Sequence, residues 1–272
     1  MDPKAPIVDT HTHTRRSDGV ASVIENAQAA HRRGCKVMCA TDHLTISREL
    51  FPEDDYHVPE DELGALAEEI EAARAEVPEV EIVRGFECDW YEGCEADVRR
   101  WSAGATFLLG AVHYVGSQAV DDPDDKSLYE GHGANEAWRA YADAWCRACE
   151  SPASFDSMAH PDLAMRFSRE GCHVTCDLTG VFRQMAECAH DTGRHVEVST
   201  AALRKGLGTF YPNHELLVMF REAEVPITVG SDAHGPQDVA WGAERAYAYA
   251  FSAGYESFDC PRADGSWTTF EL

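Results

Sequence analysis

The segment Ile7-Val8-Asp9-Thr10-His11-Thr12-His13 joins a short apolar run to two histidines spaced two residues apart. Residues at i and i+2 of an extended chain point to the same side, so both imidazoles can bind one metal ion. The segment Gly230-Ser231-Asp232-Ala233-His234 repeats this spacing after the apolar run at residues 227–230. In a closed barrel the first and last strands are neighbours, and the two pairs would then meet.

Strand-like runs recur along the chain and alternate with helix-like segments. The runs lie at residues 7–10, 36–41, 81–86, 106–112, 155–159, 195–198 and 227–230, and Asp264-Gly265 is a candidate hairpin turn. Helices are predicted at residues 20–33, from residue 59, at 134–150, 177–192, 213–223 and 239–252. The aromatics of the third helix, Trp138, Tyr141 and Trp145, have core spacing. Seven such units favour an α/β barrel of seven or eight parallel strands, with an open sheet as the alternative.

The composition suits one large globular unit. A chain of 272 residues with 44% hydrophobic content can bury one core, so residues 1–272 are predicted to form a single domain. No apolar run reaches the roughly 18 to 20 residues that span a bilayer. No apolar targeting stretch precedes the first strand-like run, so a cytoplasmic protein is expected. The ten cysteines are expected to be reduced thiols.

The net charge argues against two classes of partner. A formal charge of −25 leaves no basic face for nucleic acid or an anionic membrane. The acidic runs at residues 53–55 and 121–125 are predicted to be solvated loops. Bound divalent metals would make a site locally positive, so a small phosphorylated substrate remains compatible with this acidity. The oligomeric state is left open.

Imidazoles and carboxylates stand at or just beyond the C-terminal ends of the strand-like runs. Barrel enzymes build their sites on that face, and these groups are ligands for zinc, manganese and iron. The candidate ligands are His11, His13, Asp18, His43, Glu87, His113, His160, Asp232 and His234. One such histidine alone would more often be structural, but their number predicts two or three divalent ions. The histidines without this placement, predicted to be structural or on the surface, are His31, His57, His132, His173, His190, His195 and His214.

Five short segments together resemble the polymerase and histidinol phosphatase (PHP) family, and in particular its monofunctional histidinol-phosphate phosphatases. They are DTHTHT at residues 9–14, SDG at 17–19, TDH at 41–43, GFE at 85–87 and GSDAH at 230–234. The resemblance implies a distorted seven-stranded, TIM-like (β/α) barrel with a trinuclear metal centre. It implies one ion held by His11, His13, Glu87 and Asp232, a second by Glu87, His113 and His160, and a third by Asp18, His43 and His234.

The resemblance also implies a substrate and the residues that bind it. Arg166 and Arg204 match positions that hold substrate phosphate, whereas Ser199 stands where asparagine is expected. The implied reaction is hydrolysis of L-histidinol phosphate to L-histidinol and phosphate, in histidine biosynthesis. A water bridging two ions loses its proton near neutral pH and attacks phosphorus in line with the leaving oxygen. The ions and Arg204 neutralise the phosphoryl oxygens, and Asp18 or His234 could protonate the leaving group.

Three other interpretations are weighed against this one. An amidohydrolase barrel also begins with His-x-His, but it commonly bridges its metals through a lysine at a strand end, and no lysine lies there. A different PHP phosphoesterase would act on another small phosphomonoester, such as a nucleotide or phosphotyrosine. A barrel kept only as a metal-dependent binding module would be expected to have lost ligands, and none is missing.

Overall fold

The computed structural model describes residues 5–52 and 56–272. The acidic run at residues 53–55, predicted to be a loop, lies outside the described residues. The strands are β1 (Ile7–Asp9), β2 (Cys35–Ala40), β3 (Glu81–Asp89), β4 (Phe107–Ala111), β5 (Tyr114–Val115), β6 (Gln118–Ala119), β7 (Ser157–Met158), β8 (His195–Ser199), β9 (Ile227–Gly230), β10 (Ser257–Pro261) and β11 (Trp267–Glu271). The helices are α1 (Val23–Arg32), α2 (Leu63–Glu76), α3 (Glu95–Trp101), α4 (Ser127–Glu150), α5 (Thr179–Thr192), α6 (Ala201–Arg204), α7 (His214–Glu222) and α8 (Ala243–Ser252).

Seven parallel strands form one sheet in the order β1-β2-β3-β4-β7-β8-β9. The two end strands approach each other, because the backbone N–H of Thr10 donates to Val229 O at 3.0 Å. Just beyond them, Thr12 and Ala233 form a parallel bridge. The sheet is therefore a nearly closed barrel with flanking helices, which confirms the predicted α/β barrel. The C-terminal ends of its strands meet at one rim.

The predicted aromatic core lies in α4. Trp138, Tyr141 and Trp145 are buried. The Trp138 ring lies 5.7 Å from the ring of Phe182 in α5, and the Trp145 ring lies 5.9 Å from that of Phe220 in α7. Aromatic rings at these separations pack favourably, so α4, α5 and α7 are held together on one flank of the barrel. Among residues 5–52 and 56–272, no helix is long and apolar enough to cross a membrane.

Local signals set several helix ends. Ser22 and Glu25 form a reciprocal capping box at the start of α1. The Asn213 side chain accepts hydrogen bonds from two backbone N–H groups of α7 and so caps the start of that helix. Gly193 ends α5 with a left-handed φ of 67°, which a side chain would disfavour.

Some elements differ from those that the sequence pattern predicts. The short helix α3 and the hairpin β5–β6 are not predicted. Helix α8 begins at Ala243 rather than at residue 239, because Gly242 before it has a left-handed φ of 76°. Strand β3 continues to Asp89, beyond the predicted end at residue 86. The predicted turn at Asp264-Gly265 does connect the antiparallel strands β10 and β11.

Candidate metal centre

All nine predicted ligands converge at the C-terminal rim of the barrel. His11 and His13 follow β1, Asp18 lies between β1 and α1, His43 follows β2, Glu87 lies in β3, His113 follows β4, His160 follows β7, and Asp232 and His234 follow β9. Their nitrogen and oxygen atoms form overlapping groups in which every donor atom lies within 4.8 Å of the others. The chain thus brings together residues separated by more than 200 positions.

The first group contains His11, His13 and Asp232. The Nε2 atoms of the two histidines lie 3.0 Å apart, and Asp232 Oδ1 lies 3.4 Å from His13 Nε2 and 3.8 Å from His11 Nε2. Two imidazole nitrogens that face each other this closely, beside a carboxylate oxygen, suit the tetrahedral donor set of a cation such as zinc.

The Glu87 carboxylate connects this group to a second one. Its Oε2 lies 3.2 Å from His11 Nε2, whereas its Oε1 lies 2.8 Å from His160 Nε2 and 3.7 Å from His113 Nε2. The two oxygens therefore face separate sets of histidines. A carboxylate that bridged two ions would present its oxygens in this way, and the bridging role of Glu87 stays a prediction.

The third group lies nearer to solvent and contains His13, Asp18, His43 and His234. Asp18 Oδ2 lies 3.1 Å from His234 Nε2 and 3.7 Å from His43 Nε2. The His13 ring lies 4.3 Å from the ring of His234 and 4.5 Å from that of His43. Three imidazoles therefore pack around the Asp18 carboxylate at this point of the rim.

The donor chemistry fits divalent metals. Among the buried nitrogen atoms without a hydrogen-bond partner are Nδ1 of His13, His43 and His160, all within the three groups. An unpaired polar atom in a buried site is costly. The Nδ1 atoms of His13 and His43 lie 3.6 Å from Asp18 and 3.2 Å from Glu87, so a cation shared with these carboxylates would satisfy them. Imidazole and carboxylate together suit zinc, manganese and iron, so the residues fit the predicted metals. Nine ligands in three groups suffice for two or three ions.

Buried charges shift the pKa values of these groups strongly. Burial alone would lower the pKa of His43 and His113, but neighbouring carboxylates, chiefly Glu87 and Asp89, raise it to about 9 for His43 and about 10 for His113. Burial, with His234 and His43 nearby, lowers the pKa of His13 to about 3. Burial opposes ionisation of Glu87, but the surrounding histidines hold its pKa well below its usual value.

Asp89 is a site residue that the sequence reasoning missed. It is 3% exposed, and its Oδ1 accepts a short hydrogen bond from His113 Nδ1. Its Oδ2 lies 3.4 Å from His43 Nδ1. One carboxylate thus lies against two imidazoles of different groups, hydrogen-bonded to His113 and close to His43. The signal was present in the sequence, since Asp89 follows Glu87 at the same two-residue spacing as His11 and His13.

Glu197 in β8 is a second missed residue. Its buried carboxylate accepts hydrogen bonds from His11 Nδ1 at 2.9 Å and from the backbone N–H of His160 at 3.0 Å. Gly230 in the adjacent strand leaves room for it, because a Cβ there would lie 2.1 Å from Glu197 Oε1. A carboxylate behind a metal-binding imidazole fixes the ring's orientation and tautomer.

The backbone around the ligands is strained and firmly held. Asp232 has a φ of 54° and His160 a φ of 26°, values that residues other than glycine seldom adopt. Asp9 supports the loop after β9, because its carboxylate accepts hydrogen bonds from Ser231 N and from Ala240 N. Asp9 belongs to the DTHTHT segment, so its part in that segment is to hold the loop that carries Asp232.

A cavity of about 290 Å³ opens above the metal groups. It is lined by Asp18, His43, Tyr56, Glu87, His113, Tyr114, Ala119, Asp121, Asp122, Pro123, His160, Lys205, Asp232 and His234. Asp121 therefore faces the cavity, although the acidic run that contains it was expected to be a solvated loop. The volume suits a small metabolite.

Neither predicted phosphate-binding arginine is among the described residues that line this cavity. Arg204 donates from Nη2 to Asp232 O at 2.7 Å, and its Nε lies 3.6 Å from Asp238 Oδ1. Arg166 pairs with Glu170 at 3.0 Å and stacks over the Phe167 ring. Arg204 thus touches a candidate ligand loop, whereas Arg166 is engaged away from the groups, and both phosphate contacts stay predictions.

The remaining histidines that show contacts lie outside the groups. His195 pairs with Asp259 at 2.9 Å and stacks on Trp267, and His57 contacts Arg48. The three groups of candidate ligands described above are called the metal-type groups. None of the seven histidines predicted to be structural belongs to one of them in the described part of the chain.

Known proteins resemble this chain in sequence over most of its length. The PHP domain profile matches residues 9–201. A Deinococcus radiodurans protein named "Probable histidinol-phosphatase" is 27% identical over 243 residues, covering 86% of this chain and 89% of that protein. A protein of the same name from Schizosaccharomyces pombe is 23% identical, covering 85% of this chain and 80% of that protein.

A solved structure extends the similarity to the fold. The histidinol phosphate phosphatase of Lactococcus lactis, solved with zinc, L-histidinol and phosphate, superposes with a TM-score of 0.81 at 19% identity, covering 97% of this chain and 99% of that one. The chain belongs to the PHP family. The predictions of the family, of its TIM-like barrel and of a hydrolase are confirmed.

Proposed function

We propose that this PHP-family enzyme hydrolyses L-histidinol phosphate to L-histidinol and phosphate, with two or three divalent ions. The observation that carries the proposal is the Glu87 carboxylate, whose two oxygens face separate histidine groups on the floor of a cavity of metabolite size. The names of the matched relatives support this substrate. The Lactococcus lactis structure, solved with zinc, L-histidinol and phosphate, supports both the substrate and the divalent ions. Such an enzyme would serve histidine biosynthesis in the cytoplasm.

The nine ligands would hold the ions as three sets. His11, His13, Glu87 and Asp232 would hold one, Glu87, His113 and His160 a second, and Asp18, His43 and His234 a third. When bound, the ions would polarise the phosphoryl group and lower the pKa of the attacking water. Zinc, manganese and iron all suit this donor set. The side chains of the first two groups are buried or nearly so, whereas Asp18 and His234 of the third are 35% and 38% exposed.

The chain's own residues would orient the substrate and manage its charge and proton. Arg204 is anchored to the carbonyl of Asp232, which keeps its guanidinium next to the ligand loop. A guanidinium in that position, together with Arg166, would bind phosphoryl oxygens through paired donors. His234 Nε2 and Asp18 Oδ2, 3.1 Å apart at the cavity wall, share the site nearest solvent and are the groups proposed to hold the leaving alkoxide's proton.

A substrate panel tests the proposal. Purified protein loaded with zinc or manganese, with its metal content measured, would be assayed for phosphate release from L-histidinol phosphate, phosphotyrosine and nucleoside monophosphates. We expect kcat/KM to be highest for L-histidinol phosphate. A higher value for another member of the panel would overturn the substrate and leave the phosphomonoesterase chemistry standing.

Arg204→Ala tests the proposed phosphate contact. We expect KM for L-histidinol phosphate to rise about 10- to 100-fold, as the loss of a charge-assisted hydrogen bond implies, while the metal content stays unchanged. Arg100→Ala is the matched control, because its side chain is 66% exposed in α3 and pairs with Glu60 on the surface. Unaltered kinetics in Arg204→Ala would remove the residue from the binding site.

A further inference from the structure

An ion pair spans the cavity beside the metal groups. Lys205 Nζ lies 3.6 Å from Asp121 Oδ2 and 3.9 Å from Asp232 Oδ2. Lys205 follows α6, and Asp121 follows the hairpin β5–β6, so two separate segments contribute the pair. Both side chains line the cavity and are partly exposed to it, at 32% for Lys205 and 26% for Asp121.

Lys205 stands out by its charge. It is the one lysine or arginine among the described residues that line the cavity. Asp18, Glu87 and Asp232 belong to the metal-type groups, whereas Asp121 belongs to none of them. The pair therefore supplies one positive and one negative group that remain available to a ligand after the ions are bound.

We propose that the Lys205–Asp121 pair selects phosphomonoesters that carry a cation close to the phosphate. The substrate phosphate takes the place of Asp121 at Lys205, and the substrate ammonium takes the place of Lys205 at Asp121. This inference rests on the proposed function and deepens it, because L-histidinol phosphate carries its ammonium two carbon atoms from the ester oxygen.

The exchange accounts for both binding and discrimination. A ligand with both charges replaces one ion pair by two, so neither protein group is left unpaired in a partly desolvated cavity. An anionic phosphomonoester without a cation would leave the Asp121 carboxylate beside its phosphate, uncompensated. Specificity then comes from repulsion of the wrong ligand as much as from attraction of the right one.

Matched substrate pairs test the inference. L-histidinol phosphate would be compared with 3-(imidazol-4-yl)propyl phosphate, which lacks only the amine, and phosphoethanolamine with ethyl phosphate. The amine preference is the ratio of kcat/KM within each pair. In Asp121→Asn we expect the preference to fall about tenfold through KM, as the loss of one charge-assisted contact implies. In Lys205→Met, KM should rise for both members of a pair in parallel.

Asp124→Asn is the control, because it removes the same charge from an exposed position of the same loop that does not line the cavity. It should leave the preference unchanged, and the metal content of each variant should equal that of the wild type. An amine preference that persists in Asp121→Asn, or that is absent from the wild type, overturns the inference. Preference for phosphoethanolamine over ethyl phosphate without cleavage of L-histidinol phosphate would overturn the proposed function alone, and inactivity toward all four compounds would overturn both.

Discussion

Two buried carboxylates support the metal-type histidines from behind. Asp89 Oδ1 accepts a hydrogen bond from His113 Nδ1, its Oδ2 lies 3.4 Å from His43 Nδ1, and Glu197 accepts a hydrogen bond from His11 Nδ1. The hydrogen bonds to His113 and His11 leave Nε2 of each ring facing Glu87. Carboxylates in this position fix ring orientation and raise the basicity of the imidazole, so they act on metal affinity without touching the metal.

Asp89→Asn tests this supporting role. The amide keeps the shape of the carboxylate but removes the charge that favours two imidazoles, so we expect metal affinity to fall about 10- to 100-fold with the fold retained. Competition with a chelator would measure the affinity, and circular dichroism would check the fold. Glu92→Gln is the control, because the Glu92 side chain is 88% exposed and the substitution removes a charge from the same stretch of chain. Equal affinities in the two variants would contradict the role.

The sequence predicts groups that act directly better than groups that act through others. All nine candidate ligands reach the rim, because eight stand at or just after the ends of apolar runs and Asp18 lies in the loop that follows the first of them. Asp89 could have been predicted from its position two residues after Glu87, and Glu197 from its place between two valines of a buried strand. The direction of the Lys205 side chain had no such signal, since it depends on how the short helix α6 packs.

At the scale of elements, two adjacent strands share the space behind His11. Gly230 of β9 lies against Glu197 of β8, and their backbones pair in register through Ser199 and Gly230. A Cβ on Gly230 would lie 2.1 Å from Glu197 Oε1 and 2.7 Å from His11 Cβ. Neither neighbour can move freely. The Glu197 carboxylate accepts hydrogen bonds from His11 Nδ1 and from the backbone N–H of His160, and the first of these also holds the His11 ring.

Gly230→Ala should therefore displace the carboxylate and the imidazole together. We expect the free energy of unfolding to fall by about 1–3 kcal/mol, as overpacking implies, and metal content to fall with it. Gly64→Ala is the control, because Gly64 lies in α2 with nothing within 4 Å of an added Cβ. It should change stability by at most about 1 kcal/mol, in the stabilising direction. Denaturant unfolding and metal analysis would measure both, and wild-type behaviour of Gly230→Ala would refute the close approach.

Element boundaries were predicted well where an apolar run met a cap and less well elsewhere. Helix α7 begins within one residue of its predicted start at residue 213, and β9 was predicted in full. The seven residues of α3 are too few to show helical periodicity, and the strands of the hairpin β5–β6 have two residues each. Tertiary contacts fix such short elements, so a single sequence carries little sign of them.

At the scale of the whole molecule, barrel closure creates the site. The pairs His11/His13 and Asp232/His234 meet only because β1 and β9 approach, as the repeated spacing in the sequence suggested. The cavity above them could not be predicted, because it is formed by loops whose path depends on packing. The buried cluster also holds several carboxylates and imidazoles at once, so its protonation is a property of the assembled barrel.

This protonation predicts how metal loading depends on pH. Without metal, His43 and His113 have pKa values of about 9 and about 10, because Glu87 and Asp89 outweigh the effect of burial. Pairing of the protonated rings with these carboxylates stabilises the metal-free fold fully below the unfolded pKa of about 6.5 and is lost as pH rises through about 9 to 10. Metal binding needs the same rings deprotonated, so metal affinity changes in the opposite direction.

The gap in Tm between the zinc-loaded and metal-free protein should therefore widen as pH rises from about 6.5 to about 9. Loading near pH 7 should also release protons, which calorimetry in buffers of different ionisation enthalpy would measure as a buffer-dependent heat. A Tm gap that stays constant or narrows over this interval, or a heat independent of buffer, would mean that His43 and His113 are already neutral in the metal-free barrel. The carboxylates behind them would then not control their protonation.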